Sequence, residues 1–492
     1  MPGSINNKKN ITMKNDRRDF LKMTGAAGLG ITGAAIFEGC DSKSGTSTDE
    51  EEPGLDKQIK EMEESHVQRF NMAGYAAPAI ETVGVGIIGL GNRGPGHMRN
   101  LTKLEGVEIK ALCDVQPEKA ERAKKMLDGT GHDPDLYTGG ADEWKKLCER
   151  DDIDLVIITS PWYMHAKMAI YAMEQGKHAA SEVVLSATLE DSWKVVETAE
   201  STRRHCFMMA NYIYNDFELT VLNMAREGFF GDLVHGEGGY IANKIGNNFR
   251  KGFYWDMWWL KQYANRKGNI YPIHGFEIIC QVMDINRGDK LNYLVSVESE
   301  DFIMQKKARE LAAQDTIYSE FRDKDFRGNI NTSVIKTAVG RTIVVQHDAS
   351  TYRPYTLKHE IYGMDASVQG YPRPPRIYKK EGGYVSDEEY NSIMEKYEPG
   401  VFKLEKDLKD QGSGSEFGAD LLMMWRLIDC LHKGLPLDMD VYDGVSMSAV
   451  MPLSEWSARN GSQPIKFPDF TAGAWETNDR NMSIVNLPGQ QL

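Results

Sequence analysis

The sequence predicts an α/β protein in which a doubly wound parallel sheet is followed by an α+β domain with an open, mostly antiparallel sheet. Between residues 80 and 205, short β-branched segments alternate with helical segments, which is typical of a doubly wound sheet. A glycine-rich turn follows the first of these strands. Strands and helices mix after residue 206, and residues 333–348 alternate around Gly340 as a hairpin does.

The length of 492 residues predicts two domains with additional tails. The formal net charge of −14 would repel a phosphate backbone, so we expect no nucleic-acid partner. Nine Trp and 21 Tyr leave aromatic surface for a neutral ligand such as a sugar. The expected organisation is a signal (1–40), a tether and N-terminal arm (41–79), a nucleotide-binding domain (80–205), a substrate domain (206–460) and a C-terminal tail (461–492).

The six cysteines do not form a CxxC pair, so we expect no structural metal site. Their even number leaves disulfides open, whereas their scatter favours a fold that matures in a reducing cytosol. They are Cys40, Cys113, Cys148, Cys206, Cys280 and Cys430.

The N-terminus resembles a twin-arginine export signal. Arg17 and Arg18 precede Phe-Leu-Lys and a weakly apolar stretch over 23–37, which is shorter than the roughly 20 residues of a membrane-spanning helix. Cys40 ends this stretch and resembles a lipidation site, although Glu38 departs from the usual small residue. We therefore expect export to the periplasm or cell surface with Cys40 as the candidate lipid anchor; simple secretion with an unmodified Cys40 is the alternative.

A strand at 83–88 leads into a GxGxxG turn, after which a helix is predicted. The glycines allow close approach of the backbone to a pyrophosphate, and the helix N-terminus faces it, as in a Rossmann domain. The alternative is a glycine-rich turn that binds nothing. The candidate cofactor residues in the turn are Gly89, Gly91, Asn92, Arg93 and Gly94.

A second strand, predicted at 107–112, leads to Asp114, which lies twenty residues after Gly94. A carboxylate at this distance accepts a hydrogen bond from the ribose 2′-hydroxyl and repels a 2′-phosphate. The predicted cofactor is therefore NAD rather than NADP.

Two later strands, predicted at 153–159 and 179–184, are followed by polar residues. Ligands of doubly wound sheets bind at the carboxyl ends of the strands, so these residues are candidates for cofactor contacts. His165 has an alternative interpretation as an ordinary helix-start residue. The candidates are Ser160, Pro161, His165 and Glu182.

Over about residues 80–460 the chain resembles the Gfo/Idh/MocA oxidoreductases. The resemblance is carried by GLGNRG at 89–94, by TSPWYMH at 159–165 and by the strand that ends at Glu182. Many members continue from this Glu with Lys-Pro, and the Lys serves sugar oxidation. This chain continues with Val183-Val184, which argues against a plain sugar dehydrogenase.

Several ordered segments look closer to glycoside hydrolase family 109, typified by α-N-acetylgalactosaminidase. The resemblance implies a substrate site that includes Tyr240, Tyr271, His274 and Tyr355, although each could instead be a packing residue. A His normally follows the first Tyr by two residues, where this chain has Ala242, and Asn243 is the nearest polar residue. The segments are HGEGGY (235–240), GNIYPIHG (268–275), NRGD (286–289), QHD (346–348), RPY (353–355) and KGLPLD (433–438).

The resemblance implies that NAD oxidises a sugar at C3, after which the glycosidic bond is eliminated, water adds and the hydride returns. Tyr240 is the candidate base at C2, provided that a cation or the nicotinamide lowers its pKa. His274 and Tyr271 would hold the C3 hydroxyl. The alternatives are a dehydrogenase that releases a 3-keto sugar and a non-catalytic sugar-binding lipoprotein. Homo-oligomer formation stays open.

Three further segments carry structural expectations. Residues 244–263 are rich in aromatic side chains and form either a sugar-stacking wall or a core or subunit contact. Residues 364–415 are rich in Gly, Pro and charge and are expected to form a long loop or lid. Residues 416–432 are expected to form a helix.

Overall fold

The parallel sheet predicted from the sequence is present in the computed structural model, which describes residues 54–402 and 418–487. Its six strands lie in the order β3-β2-β1-β4-β5-β6, with all neighbours parallel. The last strand begins at Cys206, so the sheet continues past the boundary expected at 205. The strands are β1 Val83–Ile88, β2 Val107–Asp114, β3 Asp135–Thr138, β4 Leu155–Ile158, β5 His178–Ser181 and β6 Cys206–Met208.

Helices cover this sheet and begin at the residues that favour helix starts. Pro117 opens the helix after β2 because its fixed φ suits a first turn. The helix after β4 begins at Trp162 rather than near residue 166, so His165 lies in its first turn. The helices up to this point are α1 Leu55–Ser65, α2 Gly94–Leu101, α3 Pro117–Lys125, α4 Glu143–Cys148, α5 Trp162–Glu174 and α6 Leu189–Thr202.

The second sheet has nine strands among the described residues, in the order β14-β13-β12-β11-β7-β10-β9-β8-β15. It is antiparallel except where β7 pairs with β10, and the expected hairpin is confirmed as β9 and β10, with Gly340 at φ 105° in its turn. The strands are β7 Leu233–Ile241, β8 Leu291–Glu298, β9 Ile330–Thr337, β10 Thr342–Asp348, β11 Glu360–Gly363, β12 Ala366–Gln369, β13 Arg376–Lys379, β14 Gly383–Tyr384 and β15 Ile465–Lys466.

Two sequence-based expectations are wrong in this sheet. The expected loop at 364–415 contains β12 to β14 and a helix at Asp387–Tyr397, because its Pro- and Gly-rich stretches are turns between short strands with buried side chains such as Ile377. Residues 403–415 lie outside the described residues. The expected tail from 461 contributes β15, which pairs with β8.

One helix of the second half lies unusually close to the sheet. A Cβ on Gly238 of β7 would overlap the carbonyl oxygen of Gly275, so these glycines let the helix that begins at Ile273 approach the strand that ends near Tyr240. The expected helix at 416–432 runs from Ala419 to Lys433. The helices are α7 Asp216–Arg226, α8 Ile245–Asn248, α9 Trp258–Asn265, α10 Ile273–Val282, α11 Met304–Ala312, α12 Asp387–Tyr397, α13 Ala419–Lys433, α14 Val441–Ser448 and α15 Val450–Arg459.

The predictions for Arg17, Arg18 and Cys40 fall outside the described residues. Within the described ranges, no helix combines the length and apolar character needed to cross a membrane. The five described cysteines are buried free thiols.

Candidate active site

A cavity of about 660 Å³ lies at the carboxyl ends of the parallel strands. One part of its wall comes from the glycine-rich turn after β1 and from the loops after β2, β4 and β5. Another part comes from β7, from the start of α10 and from residues 244–259 of the aromatic segment. The predicted nucleotide and sugar residues therefore share one cavity.

The glycine-rich turn fits a dinucleotide. Gly89 has a φ of +92°, and its carbonyl accepts a hydrogen bond from the Thr159 hydroxyl. Gly91 lines the cavity, and a Cβ built on it would meet no atom within 4 Å. This open space is what a pyrophosphate needs. Gly94 does not line the cavity; a Cβ there would overlap the carbonyl of Gly89, so Gly94 serves helix packing.

Asp114 is buried at the cavity wall beside the same turn. Its Oδ2 accepts a hydrogen bond from Leu90 N at 2.7 Å, and its Oδ1 accepts one from Gln116 N at 2.9 Å. Each carboxylate oxygen has two acceptor sites, so Asp114 holds the turn in place and keeps capacity for a ribose hydroxyl.

Ser160, Pro161 and His165 all line the cavity. The ring of His165 lies between two carbonyl oxygens, with Nδ1 at 2.7 Å from Val184 O and Nε2 at 2.7 Å from Ser160 O. Burial lowers the pKa of this imidazole. The arrangement ties the loop after β4 to the loop after β5, which favours a positioning role for His165.

Glu182 also lines the cavity, where two basic side chains hold it. Its Oε1 lies 2.6 Å from Arg93 Nε and 2.7 Å from His97 Nε2. Burial opposes ionisation, but the His97 hydrogen bond and the Arg93 charge hold the pKa of Glu182 well below its usual value. Arg93 makes a second, bidentate contact with Asp420 at 2.9 and 3.0 Å. Its charge is therefore compensated within the protein.

Tyr240, Tyr271 and His274 meet at the second part of the wall. The Tyr271 hydroxyl lies 2.9 Å from His274 Nε2, and the Tyr240 and Tyr271 rings are 4.8 Å apart, edge to face. Burial lowers the pKa of His274 to about 3, so its imidazole is neutral at pH 7. The other ring nitrogen, Nδ1, lies 3.5 Å from Glu277 Oε1.

Glu277 is fully buried beneath His274. Burial raises the pKa of its carboxyl well above the usual value, which favours the neutral, protonated acid. The environment therefore favours a neutral acid beside the neutral imidazole of His274, an arrangement that avoids the cost of burying an unpaired charge.

Tyr240 could act as a base only if a nearby cation lowered its pKa, and the protein alone does not lower it. Burial raises its pKa well above the value of a free phenol, and neighbouring tyrosines raise it further. The ammonium of Lys244 lies 5.9 Å from the centre of the ring. Without a bound cofactor, Tyr240 is a neutral phenol that could donate a hydrogen bond to a ligand.

Tyr355 does not line the cavity and is 47% exposed. Its hydroxyl lies 2.9 Å from that of Tyr212, which does line the cavity and whose ring packs against His274 at 4.6 Å. Tyr355 therefore reaches the cavity only through Tyr212, whereas Tyr240, Tyr271 and His274 line the cavity themselves.

The aromatic segment forms a wall of the cavity rather than only core. Phe253, Tyr254, Trp255, Trp258 and Trp259 all line it. The Asn92 side-chain amide of the glycine-rich turn donates to Phe253 O at 3.0 Å, so this wall closes directly over the predicted pyrophosphate site.

Sequence reasoning missed several residues that line the cavity or contact its lining residues. Glu277 lies one helical turn after His274, a spacing that could have indicated it. Tyr212, Asn211, His97 and Lys244 belong to no recognised motif, and only the fold brings them to the site.

Comparisons with known proteins agree with this arrangement. Residues 83–210 match the oxidoreductase family with an NAD-binding Rossmann fold, and residues 214–477 match the C-terminal domain of glycosyl hydrolase 109. The cofactor of this domain is NAD, as predicted.

Relatives and solved structures extend the likeness over most of the chain. A glycosyl hydrolase family 109 protein of Porphyromonas gingivalis is 41% identical over 81% of this chain and 86% of its own length. An alpha-N-acetylgalactosaminidase of Bacteroides fragilis is 42% identical over 82% and 96%. The fold resembles scyllo-inositol dehydrogenase from Lactobacillus casei with bound NAD(H) and scyllo-inositol, at 14% identity and a TM-score of 0.55 over 78% of this chain and 99% of that one. The chain is an enzyme with a Gfo/Idh/MocA-type NAD-binding domain, and it belongs to glycosyl hydrolase family 109.

Proposed function

We propose that this enzyme hydrolyses a glycoside by transient oxidation of the sugar at C3, with no net change in the redox state of its cofactor. The observation that carries the proposal is the shared cavity: the Tyr271–His274 pair and the glycine-rich turn line the same space. The Bacteroides fragilis relative named alpha-N-acetylgalactosaminidase makes N-acetylgalactosaminides the first substrates to test.

Different residues of the cavity are proposed to contact the pyrophosphate and the ribose of the cofactor. Gly89, Gly91 and Asn92 would hold the pyrophosphate, and Asp114 would bind a ribose hydroxyl. Bound NAD would accept a hydride from the sugar and return it, and the positive charge of its nicotinamide would favour the phenolate form of Tyr240.

The protein's own residues would then handle the protons. The Tyr271 hydroxyl, hydrogen-bonded to His274 Nε2, would accept the proton of the C3 hydroxyl while it passes its own proton to the neutral imidazole of His274. Tyr240 would take the C2 proton, which a ketone at C3 acidifies, while the bond from C1 to the aglycone oxygen breaks. Water then supplies a hydroxyl to C1 and a proton to the aglycone oxygen. Tyr240 delivers a proton that has exchanged with solvent to C2, and a hydride and a proton restore C3. The sum is the addition of one water.

The runner-up function is a glycoside 3-dehydrogenase that releases a 3-keto sugar. Incubation of the purified protein with aryl α- and β-glycosides separates the two, when free sugar and 3-keto product are measured independently. Free sugar without accumulated ketone supports hydrolysis, whereas a 3-keto glycoside formed with an equal amount of NADH supports the dehydrogenase. Protein that binds sugar without turning it over would instead be a binding lipoprotein.

We also propose export by the twin-arginine route to the periplasm or cell surface, with lipidation of Cys40. This supports a redox-neutral cycle, because a cofactor carried out inside a folded protein has no external NAD pool with which to exchange. In the double variant Arg17→Lys/Arg18→Lys, folded enzyme should stay in the cytosol, and Cys40→Ala should release the mature protein from the membrane fraction. Unchanged export or unchanged membrane retention would contradict the respective step.

A further inference from the structure

Three side chains at the substrate end of the cavity have hydrogen-bonding capacity that the described protein does not use. They are Tyr240, Lys244 and Asn247, all of which line the cavity. Within residues 54–402 and 418–487, the Tyr240 hydroxyl, the Lys244 ammonium and the Asn247 amide form no hydrogen bond or ion pair with another residue. All three can donate to a ligand.

Lys244 differs from the other charged residues that line the substrate end. Arg93 and Glu182 neutralise each other, with Asp420 and His97 as additional partners. Lys119 lines the opposite end of the cavity, on the helix after Asp114. Among the residues that the structure describes, Lys244 therefore contributes a positive charge at this end that no carboxylate compensates.

Lys244 neither lowers the pKa of Tyr240 below its usual value nor stabilises the fold through an ion pair with any described residue. The ammonium is over the ring, 5.9 Å from its centre, and the pKa of the Tyr240 hydroxyl is raised in spite of it. A half-buried charge without a partner costs solvation free energy, and a positive nicotinamide in the same cavity would add repulsion. An anionic group on the ligand would offset both costs.

We propose that Lys244, with Asn247 and the Tyr240 hydroxyl, binds an anionic substituent of the sugar, so that the preferred substrates are acidic glycosides carrying a carboxylate or a sulfate ester. This inference rests on the proposed glycosidase function and specifies its substrate class.

The test compares matched neutral and acidic sugars on the NAD-loaded enzyme. The probes are N-acetylgalactosamine with its 6-sulfate, and galactose with galacturonic acid, so that the sulfate and carboxylate sources are separated. Dissociation constants come from calorimetry at low salt. We expect at least one acidic sugar to bind about tenfold or more tightly than its neutral counterpart, the usual scale of a charge-assisted hydrogen bond.

The variants assign this preference to Lys244. In Lys244→Met the ratio of acidic to neutral affinity should fall to about one, and in Lys244→Arg it should largely persist. Lys251→Met, which removes an exposed charge outside the cavity, should keep the wild-type ratio. Equal affinities in the wild type, or a ratio that Lys244→Met leaves unchanged, would overturn the inference.

Three further outcomes separate this inference from the proposed glycosidase function on which it rests. Loss of bound NAD from Lys244→Met, measured by mass analysis after denaturation, would place the lysine at the cofactor and overturn the inference. If neutral aryl glycosides are hydrolysed and acidic ones are not preferred, the substrate class is wrong and the proposed glycosidase function stands. If NAD is bound but neither kind of sugar binds or turns over, both fail.

Discussion

The hydroxyl of Tyr271, which precedes α10 by two residues, lies 2.9 Å from Nε2 of His274 in the first turn of that helix. Close packing of α10 on β7, which the Gly238–Gly275 contact allows, brings this pair to Tyr240. The proposed sugar chemistry depends on these three side chains, which are distant in sequence from the glycine-rich turn.

Replacement of His274 tests its part in proton transfer. A residue that exchanges a proton with the reacting sugar contributes about 10²–10⁴ in rate, so His274→Ala should reduce turnover at least a hundredfold while NAD stays bound and the Tm changes little. His235→Ala, on a histidine outside the cavity, is the control and should keep its activity. A folded His274→Ala protein with near-normal turnover would remove His274 from the mechanism.

The pH dependence of His274 follows from its burial. Because its pKa is lowered to about 3, the imidazole should show no protonation between pH 5 and 8 in ¹⁵N NMR spectra, with its signal assigned by comparison with His274→Ala. The unfolded chain takes up this proton near pH 6.5, so the His274 contribution lowers stability as the pH falls from about 6.5 towards 3 and is constant above. Titration of His274 near pH 6.5 in the folded enzyme would contradict this assignment.

The glycine-rich turn allows a direct test of the cofactor site. A side chain on Gly91 enters open space, so Gly91→Val should fold with a near-normal Tm and lose NAD, as measured by mass analysis of denatured protein. Gly94→Ala is the contrasting variant, because its Cβ would overlap the Gly89 carbonyl, and it should lower the Tm. Stoichiometric NAD in Gly91→Val would show that the pyrophosphate lies elsewhere, and recovery of NADP from the wild type would contradict the role of Asp114.

Tyr355 should have a smaller effect than the residues inside the cavity. It reaches the site through its hydrogen bond to Tyr212, so Tyr355→Phe removes one neutral hydrogen bond and should lower kcat/KM by about two- to tenfold. Tyr352→Phe, at a position 87% exposed, is the matched control and should have no effect. A loss of a hundredfold or more in Tyr355→Phe would indicate that this hydroxyl contacts the substrate directly.

The sequence predicted the parts of the site that local patterns encode. The strand, turn and helix around Gly89 and Asp114 are encoded by neighbouring residues, so the nucleotide-binding part of the site and its cofactor were predictable. Tyr271 and His274 were found only through family resemblance, because a lone Tyr or His carries no local signal. Lys244, Tyr212 and Glu277 were missed because their place in the site depends on how β7 and α10 pack. The strands at 366–384 were missed because each is short and lies between turns that resemble a loop.

Transient oxidation at C3 is tested most directly by hydrolysis in D₂O, with the released sugar analysed by NMR and the cofactor by absorbance at 340 nm. The proposed mechanism removes a proton from C2 and returns one that has exchanged with solvent, so we expect free sugar carrying one deuterium at C2 and no net NADH. Free sugar that retains its C2 hydrogen would contradict transient oxidation at C3, and so would a 3-keto product that accumulates with an equal amount of NADH.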